Sequence, residues 1–185
     1  MIEDTSVRSA NKKNPGERGE MLNTKEISLI AIFAALYAIG VVFLAPFSFL
    51  PIQVRIADAL LPLSIIFGLP AVIGLSLGTV VANVFGGLGF IDIIGGTVAN
   101  LSATYVAWKL CENKKFPFII GVGCQIVIVS LIVGVYISYL FKLPIIVGIT
   151  DLFIGTFLAV GVLGSTLVII IKERVKYIGI IRSKK

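Results

Sequence analysis

The sequence predicts an all-α integral membrane protein with six transmembrane helices, and three observations support that fold class. Of the 185 residues, 57% are hydrophobic and 14% are charged, with a mean hydropathy of +1.04, whereas about a quarter of the residues of soluble domains are charged. Apolar runs close to the roughly 20 residues that cross a bilayer recur along the chain. Fourteen of the sixteen Lys and Arg residues fall in segments that six spans would place on one side.

Three regions follow from the distribution of polar residues. Residues 1–23 are polar and charged, so we expect a disordered cytoplasmic tail, with Met21 as an alternative start codon. Residues 24–175 are expected to form a six-helix transmembrane substrate-binding domain. Residues 176–185 are expected to form a basic cytoplasmic tail.

The first span is predicted to begin with Thr24 as its N-cap and Glu26 in its first turn, and to end before Pro46. Pro46 is expected to start a loop at the membrane surface over residues 46–51. The predicted spans cover residues 27–45, 55–68, 71–85, 90–110, 116–140 and 150–171. The second is too short to cross a bilayer untilted, and it ends at a turn containing Gly68 and Pro70.

Small residues at intervals of four predict close helix contacts. In the third span they are Gly74, Gly78, Ala82 and Gly86, so one neighbouring helix should lie very close along this face. In the first span Ala31 and Ala35, and also Ala34 and Ala38, are spaced in the same way. This alanine stripe would pack either on the protein's own helices or on a partner subunit.

The positive charges predict the topology. They lie before the first span, in the loop 109–115 and from Lys172 onward, which places both termini in the cytoplasm of a multi-pass plasma-membrane protein. The exceptions are Arg55 and Lys142, the latter in a loop predicted over residues 141–149. The net charge of +6 therefore reports orientation in the lipid bilayer, and it does not indicate a nucleic-acid surface.

Five polar residues interrupt the apolar spans at the end of the bundle that this topology places outside. An unpaired polar group at membrane depth costs several kcal/mol, so these side chains should face something polar. We expect them to line a small-molecule pocket. They are Arg55, Asp58, Asn83, Asp92 and Asn100.

Structural explanations compete with a ligand role for these residues. Arg55 and Asp58 are three residues apart and would pair on one helical face. Asp92 would cap the fourth helix, and Asp151 would cap the sixth. Asn100, two turns after Asp92, would point inward with it. Two glutamines are weaker candidates for the site, Gln53 and Gln125.

The sequence gives little support to catalysis. It contains no His, no HExxH and no GxSxG motif. The glycine turn at Gly87 and Gly89 lacks the pattern of a nucleotide-binding loop, since Asp92 stands where the dinucleotide fingerprint requires glycine. We therefore predict no catalytic residues, no metal site and no cofactor.

Three stretches of the chain are similar to the QueT family, which comprises substrate-binding S components of energy-coupling factor (ECF) transporters. They are the run Val54-Arg55-Ile56-Ala57-Asp58-Ala59-Leu60, the stretch from Gly78 to Asn83, and the stretch from Gly89 to Gly96. The resemblance implies an ECF S-component-like bundle of six helices with short second and third helices. It also implies capture of a queuosine precursor of 7-deazaguanine type for ATP-driven uptake.

The resemblance further implies partners. A transmembrane T subunit and two ATPase subunits would supply the energy, since the chain has no ATPase motif. The alanine stripe of the first helix would dock on the T subunit. That docking set would comprise Ala31 and Ala35, extended to Ala34 and Ala38.

A 7-deazaguanine would suit the polar residues. Its N–H and amine edge would pair with a carboxylate, while Asn83 or Asn100 would read its carbonyl and ring nitrogen. Phe49 or Phe90 would stack on the ring. The alternatives are an S component for a different vitamin or nucleobase, a non-transporting structural membrane protein, and an intramembrane enzyme.

Overall fold

The computed structural model describes residues 23–44 and 55–178, and this part of the chain forms six helices. Residues 1–22, which belong to the predicted tail 1–23, the segment 45–54 with Phe49, Gln53 and the predicted loop 46–51, and residues 179–185 lie outside the described residues. The helices are α1 (Thr24–Phe43), α2 (Ile56–Phe67), α3 (Leu69–Gly86), α4 (Phe90–Cys111), α5 (Phe118–Phe141) and α6, which runs from Ile145 to Ile178.

Five of these helices are long and apolar enough to cross a membrane, and α2 is shorter. Most of α2 is a 3-10 helix, Ile56–Leu63, followed by one α-helical turn, Ser64–Phe67. The rise is about 2.0 Å per residue in a 3-10 helix and about 1.5 Å in an α-helix, so α2 is roughly 22 Å long. This length falls short of the ~30 Å hydrocarbon core of a bilayer. The predicted all-α membrane bundle with a short second helix is confirmed.

Helices α1 and α3 run parallel and nearly touch. A Cβ atom added at Gly74 would lie 2.6 Å from the carbonyl oxygen of Ile30, and one added at Gly78 would lie 2.7 Å from that of Ala34. Only glycine permits this approach, so the close neighbour predicted from the glycine ladder is confirmed and is α1. The contact fixes the C-terminal half of α1, including Tyr37, against α3.

Helix α2 packs against an irregular part of α6. That part is a π-helical segment, Phe157–Gly164, between two α-helical stretches, Ile145–Thr156 and Ser165–Ile178. A Cβ atom at Gly164 would lie 2.8 Å from the carbonyl oxygen of Ala59. The absence of a side chain at Gly164 therefore lets the two helices meet backbone to backbone.

Two predicted helix starts are wrong. Asn23, not Thr24, precedes the first helical turn of α1, and its backbone N–H donates to Glu26 Oε2 at 2.9 Å. Helix α6 begins at Ile145 instead of Thr150, because Lys142 adopts a left-handed conformation that ends α5 and Pro144 opens α6 directly. The connection between α5 and α6 is therefore a tight turn.

The bundle has two ends that differ in chemistry. We call one the Lys142 end, where the turns 87–89 and 142–144 lie, and the other the Trp108 end, where α4 meets α5. At the Trp108 end, Lys109 lies 4.2 Å from the centre of the Trp108 ring and 3.0 Å from Glu112. Between the ends, the outer surface is apolar, as a multi-pass membrane protein requires.

Candidate functional site

Asp92 lies in the first turn of α4, where it joins three helices. Its Oδ1 atom lies 3.6 Å from Arg55 Nη2, and it accepts a hydrogen bond of 2.9 Å from the Tyr136 hydroxyl of α5. Gly89 is the N-cap of α4, and no side chain caps this helix. The alternative in which Asp92 merely caps α4 is therefore wrong, because its carboxylate points across the bundle.

Tyr37 links a second set of polar residues. Its hydroxyl donates to Asp58 Oδ1 at 2.6 Å and accepts from Asn100 Nδ2 at 2.8 Å. Asn100 Nδ2 also donates to Thr79 Oγ1 at 2.8 Å. This chain of hydrogen bonds ties α1, α2, α3 and α4 together through side chains that are all buried.

Asn83 completes the arrangement from the last turns of α3. Its Nδ2 atom donates to the backbone carbonyl of Asp92 at 2.7 Å. Gly96 lies one turn after Asp92 in α4. A Cβ atom at this position would collide with Asn83 Nδ2. It would also lie 3.3 Å from the Tyr136 hydroxyl and 3.6 Å from Arg55 Nη1. Glycine at position 96 therefore leaves room for the side chains of Asn83, Tyr136 and Arg55.

We call this group the Arg55 cluster. Five helices contribute to it, and its side chains are at most 7% exposed except for Tyr136, which is partly buried. Its members are Tyr37, Arg55, Asp58, Thr79, Asn83, Asp92, Asn100 and Tyr136.

Two oxygen atoms of the Arg55 cluster are buried without a hydrogen bond. Among the described residues, neither Asn83 Oδ1 nor Asp92 Oδ2 has a donor. Unsatisfied acceptors of this kind cost about 1–3 kcal/mol each, so a native structure that keeps them calls for an explanation. A bound molecule that presents N–H groups would satisfy both.

The cavities described for this bundle lie elsewhere. An open cavity of about 750 Å³ is formed by the α5–α6 turn and includes Ser138 and Lys142. Another of about 470 Å³ lies at the Trp108 end beside Cys111 and Lys172. The Arg55 cluster does not line either of these two cavities.

The structure brings the five predicted site residues together, but not with the predicted partners. The sequence spacing favoured a pair between Arg55 and Asp58. The ion pair is instead between Arg55 and Asp92, and Asp58 accepts from Tyr37. The reason is that Arg55 precedes α2 as its N-cap with an extended backbone (φ −80°, ψ 91°), so the spacing of helical residues does not apply to it.

The weaker candidates have other positions. Gln125 donates to the carbonyl of Leu61 at 3.0 Å and to Ser64 Oγ at 3.2 Å, away from the Arg55 cluster. Asp151 lies in the second turn of α6, so its predicted role as the cap of that helix is wrong. Phe90, the predicted stacking residue, is 74% exposed.

Sequence reasoning missed both tyrosines, as well as Thr79 and Gly96. The sequence could have indicated the two tyrosines, because a tyrosine that is buried in an apolar span needs a hydrogen-bond partner for its hydroxyl. Tyr37 and Tyr136 stand in otherwise apolar stretches of α1 and α5. The Tyr37 hydroxyl joins Asp58 to Asn100, and the Tyr136 hydroxyl donates to Asp92.

The alanine stripe of α1 divides into two faces. Ala31 and Ala35 are exposed and lie between Ile27 and Ile39, which are 54% and 64% exposed. Ala34 instead packs against Gly78 of α3. Ala38 lines an apolar groove of about 540 Å³ between α1 and α3. The outward alanine face therefore consists of Ala31 and Ala35.

One family model matches this chain. It describes the QueT transporter, and it covers residues 27–173, which include nearly all of the helical bundle. No curated protein and no solved structure gives a match.

Proposed function

The chain belongs to the QueT transporter family, and from this membership we propose that it is the substrate-binding component of an ECF transporter. Its solute is a queuosine precursor of the 7-deazaguanine type. The Arg55 cluster is the proposed binding site, with Arg55, Asp58, Asn83, Asp92 and Asn100 as its polar residues.

The observation that carries this proposal is the pair of unpartnered acceptors at the centre of the cluster. Asn83 Oδ1 and Asp92 Oδ2 are buried and lack donors among the described residues. A deazaguanine edge offers ring N–H and exocyclic amine donors, and a carboxylate oxygen beside an amide oxygen accepts such donors well. Gln125 Oε1 is likewise buried without a donor among the described residues, but it is a single oxygen, whereas Asn83 and Asp92 are in direct hydrogen-bond contact and offer two.

The amides have different roles in this proposal. Asn100 uses its Nδ2 atom to hold Tyr37 and Thr79, so it positions the Tyr37 hydroxyl. Asn83 holds the backbone of α4 through its Nδ2 atom and turns its oxygen to the solute. Asn83 is therefore the amide that reads the solute edge.

The second part of the proposal concerns energy and orientation. The distribution of Lys and Arg supports cytoplasmic termini, which places the Lys142 end outside, where solute is captured. A T subunit with two ATPases supplies the energy. The outward face of Ala31 and Ala35 is a smooth apolar surface on which a T subunit can dock.

Calorimetry on the purified protein in mild detergent tests the binding role. Wild-type protein should bind a 7-deazaguanine, and Asp92→Ala should weaken binding at least about 100-fold, because it removes an acceptor and the carboxylate that lies 3.6 Å from Arg55. Glu112→Ala is the matched control, since Glu112 is an acid at the Trp108 end, far from the cluster. Wild-type affinity in Asp92→Ala would contradict the proposed site.

Two further measurements separate the alternatives. A thermal-shift screen of B vitamins, purines and deazapurines identifies a different solute if one stabilises the protein better. Mass spectrometry of the mildly purified protein should detect a T subunit and two ATPases, and Ala31→Leu with Ala35→Leu should reduce their recovery without changing solute affinity. No stabilisation by any of these solutes, together with no copurifying subunits, would favour a purely structural membrane protein.

A further inference from the structure

The cavity at the Trp108 end is separate from the proposed solute site. It has a volume of about 470 Å³. It lies where the last turn of α2, the end of α4, the start of α5 and the C-terminal part of α6 meet. The residues that line it are Ile65, Cys111, Phe116, Pro117, Phe118 and Lys172.

The wall of this cavity is apolar apart from one cation. Ile65 and the aromatic residues contribute hydrocarbon surface, and the Cys111 thiol already donates to the Pro117 carbonyl at 3.8 Å. Lys172 reaches the cavity from α6, and its Nζ atom lies 4.9 Å from the centre of the Phe118 ring. This cation–π contact holds the ammonium group at the edge of an apolar space.

Lys172 has no carboxylate partner among the described residues. The ion pairs in this part of the chain are Arg55 with Asp92 and Lys109 with Glu112. Glu173 is the next residue of α6, and adjacent residues of a helix do not face each other. The cavity therefore offers a positive charge that none of the described carboxylates neutralises.

The surrounding charge distinguishes this cavity from the larger one at the Lys142 end. Lys142 is the only Lys or Arg between residues 116 and 171. The segments 109–115 and 172–178, which adjoin the cavity at the Trp108 end, each contain three Lys or Arg and one Glu. Positive charge is therefore concentrated around the cavity that contains Lys172.

The position of the cavity favours a lipid over a soluble anion. One turn before Cys111, Trp108 packs edge to face on Tyr105 with ring centres 5.8 Å apart, and Lys109 lies over the Trp108 ring. Aromatic and basic residues of this kind are typical of the membrane–water interface. The orientation proposed above makes this the cytoplasmic interface, where anionic lipids attract Lys and Arg.

We propose that this cavity binds one anionic phospholipid, with Lys172 as the contact of its phosphate. The apolar wall formed by Ile65, Phe116 and Phe118 accommodates the start of an acyl chain, which an inorganic anion does not possess. The lipid contacts four helices at once, so it fixes the end of the short helix α2 against α5 and α6. The site is independent of the Arg55 cluster and of the solute.

Native mass spectrometry of the delipidated full chain in detergent tests the site. The probes are phosphatidylglycerol, which is anionic, and phosphatidylcholine, which has no net charge, with identical acyl chains. We expect wild-type protein to bind the first molecule of phosphatidylglycerol about tenfold more tightly, because Lys172 and its basic neighbours attract the negative headgroup. A preference below about twofold would overturn the proposal.

Variants assign the preference to Lys172. Lys172→Gln should lower it to about twofold, since one lysine beside an anionic headgroup contributes a factor of about five, and Lys172→Arg should retain it. Lys25→Gln is the matched control, because Lys25 is an exposed lysine at the same end of the bundle that does not line the cavity. Equal losses in the two glutamine variants would show diffuse attraction and overturn the site.

Two further measurements exclude other occupants. A large excess of inorganic phosphate should leave the bound phosphatidylglycerol in place, and its displacement would mean a site for a soluble anion. If wild-type protein shows no lipid preference while Lys172→Gln lowers the recovery of copurifying subunits, the cavity docks a protein and the proposal is wrong. The solute affinity of Lys172→Gln should equal that of wild type, so failure of this proposal leaves the proposed function intact.

Discussion

Two buried polar clusters lie in this bundle, and they differ in charge and in the number of helices they join. The Arg55 cluster joins five helices and contains three charged side chains, Arg55, Asp58 and Asp92. The second, which we call the Gln125 cluster, consists of Gln125, Ser64 and the Leu61 carbonyl, and it joins α2 to α5. Among the described residues the first cluster has two buried oxygens without a donor, on Asn83 and Asp92, and the second has one, Gln125 Oε1, and no charged side chain.

The Gln125 cluster is explained by the shape of α2. Pro62 has no N–H and interrupts the regular hydrogen bonds of this 3-10 helix. Gln125 donates to the backbone beside Pro62, and Ser64 Oγ donates to the Leu61 carbonyl at 2.8 Å. Irregular backbone at membrane depth must be satisfied by neighbouring side chains, so this cluster stabilises α2. A buried polar residue by itself therefore does not identify a site.

The largest effect that this comparison predicts is at Gly96. Gly96→Ala places a methyl group on Asn83 Nδ2 and beside the Tyr136 hydroxyl, which breaks the bond between Asn83 and the Asp92 carbonyl. We expect solute affinity, measured by calorimetry, to fall by about 100-fold, because the lost hydrogen bond and the displaced acceptor each contribute about 1–2 kcal/mol.

Gly123→Ala is the control for that substitution. Gly123 is also within a helix, but a Cβ atom there meets nothing within 4 Å among the described residues. The solute affinity of the Gly123→Ala variant should equal that of wild type. Equal affinities of the Gly96 and Gly123 variants would show that the Arg55 cluster does not bind solute at this position.

A smaller effect is expected at Tyr37. Tyr37→Phe removes the hydroxyl that joins Asp58 to Asn100 and leaves a buried carboxylate without its donor. Affinity should fall about tenfold, and the melting temperature in detergent should also fall, consistent with a loss of about 1–3 kcal/mol. Tyr139→Phe, at a position 76% exposed, is the control and should change neither value.

The smallest effect on binding is expected at Gln125. Gln125→Leu preserves volume and removes the bonds to Leu61 and Ser64. The melting temperature should fall, consistent with a loss of about 1 kcal/mol, while affinity should stay within about twofold of wild type. A large loss of affinity with an unchanged melting temperature would mean that Gln125 belongs to the binding site and that the two clusters are not distinct.

Much of the fold was predictable because its determinants are local. The length of each apolar run predicted the spans, and the shortness of the second span anticipated the 12-residue helix Ile56–Phe67. The glycines of α3 predicted a close neighbour, which is α1. The start of α6 was wrong because the polar and turn-forming residues Lys142 and Pro144 suggested a long loop, whereas one left-handed residue was sufficient to reverse the chain.

Five of the eight residues of the Arg55 cluster were predictable from the sequence, but the contacts between them were not. Arg55, Asp58, Asn83, Asp92 and Asn100 stood out because polar groups in an apolar span need partners. Their pairing depends on which helix faces which, and that information is not local. The tyrosines were overlooked because an aromatic residue in an apolar run is compatible with ordinary packing.

The sequence by itself determined that this chain is a multi-pass membrane protein and which buried polar groups require an explanation, since hydrophobicity and polarity are properties of single residues. Only the tertiary structure decided that Arg55 pairs with Asp92 and that Tyr37 joins Asp58 to Asn100. The physical reason is that hydrogen bonds and ion pairs depend on distances of a few ångströms between separate helices. Those distances are set by contacts between helices, such as that of Gly78 in α3 with Ala34 in α1, which lie far apart in the sequence.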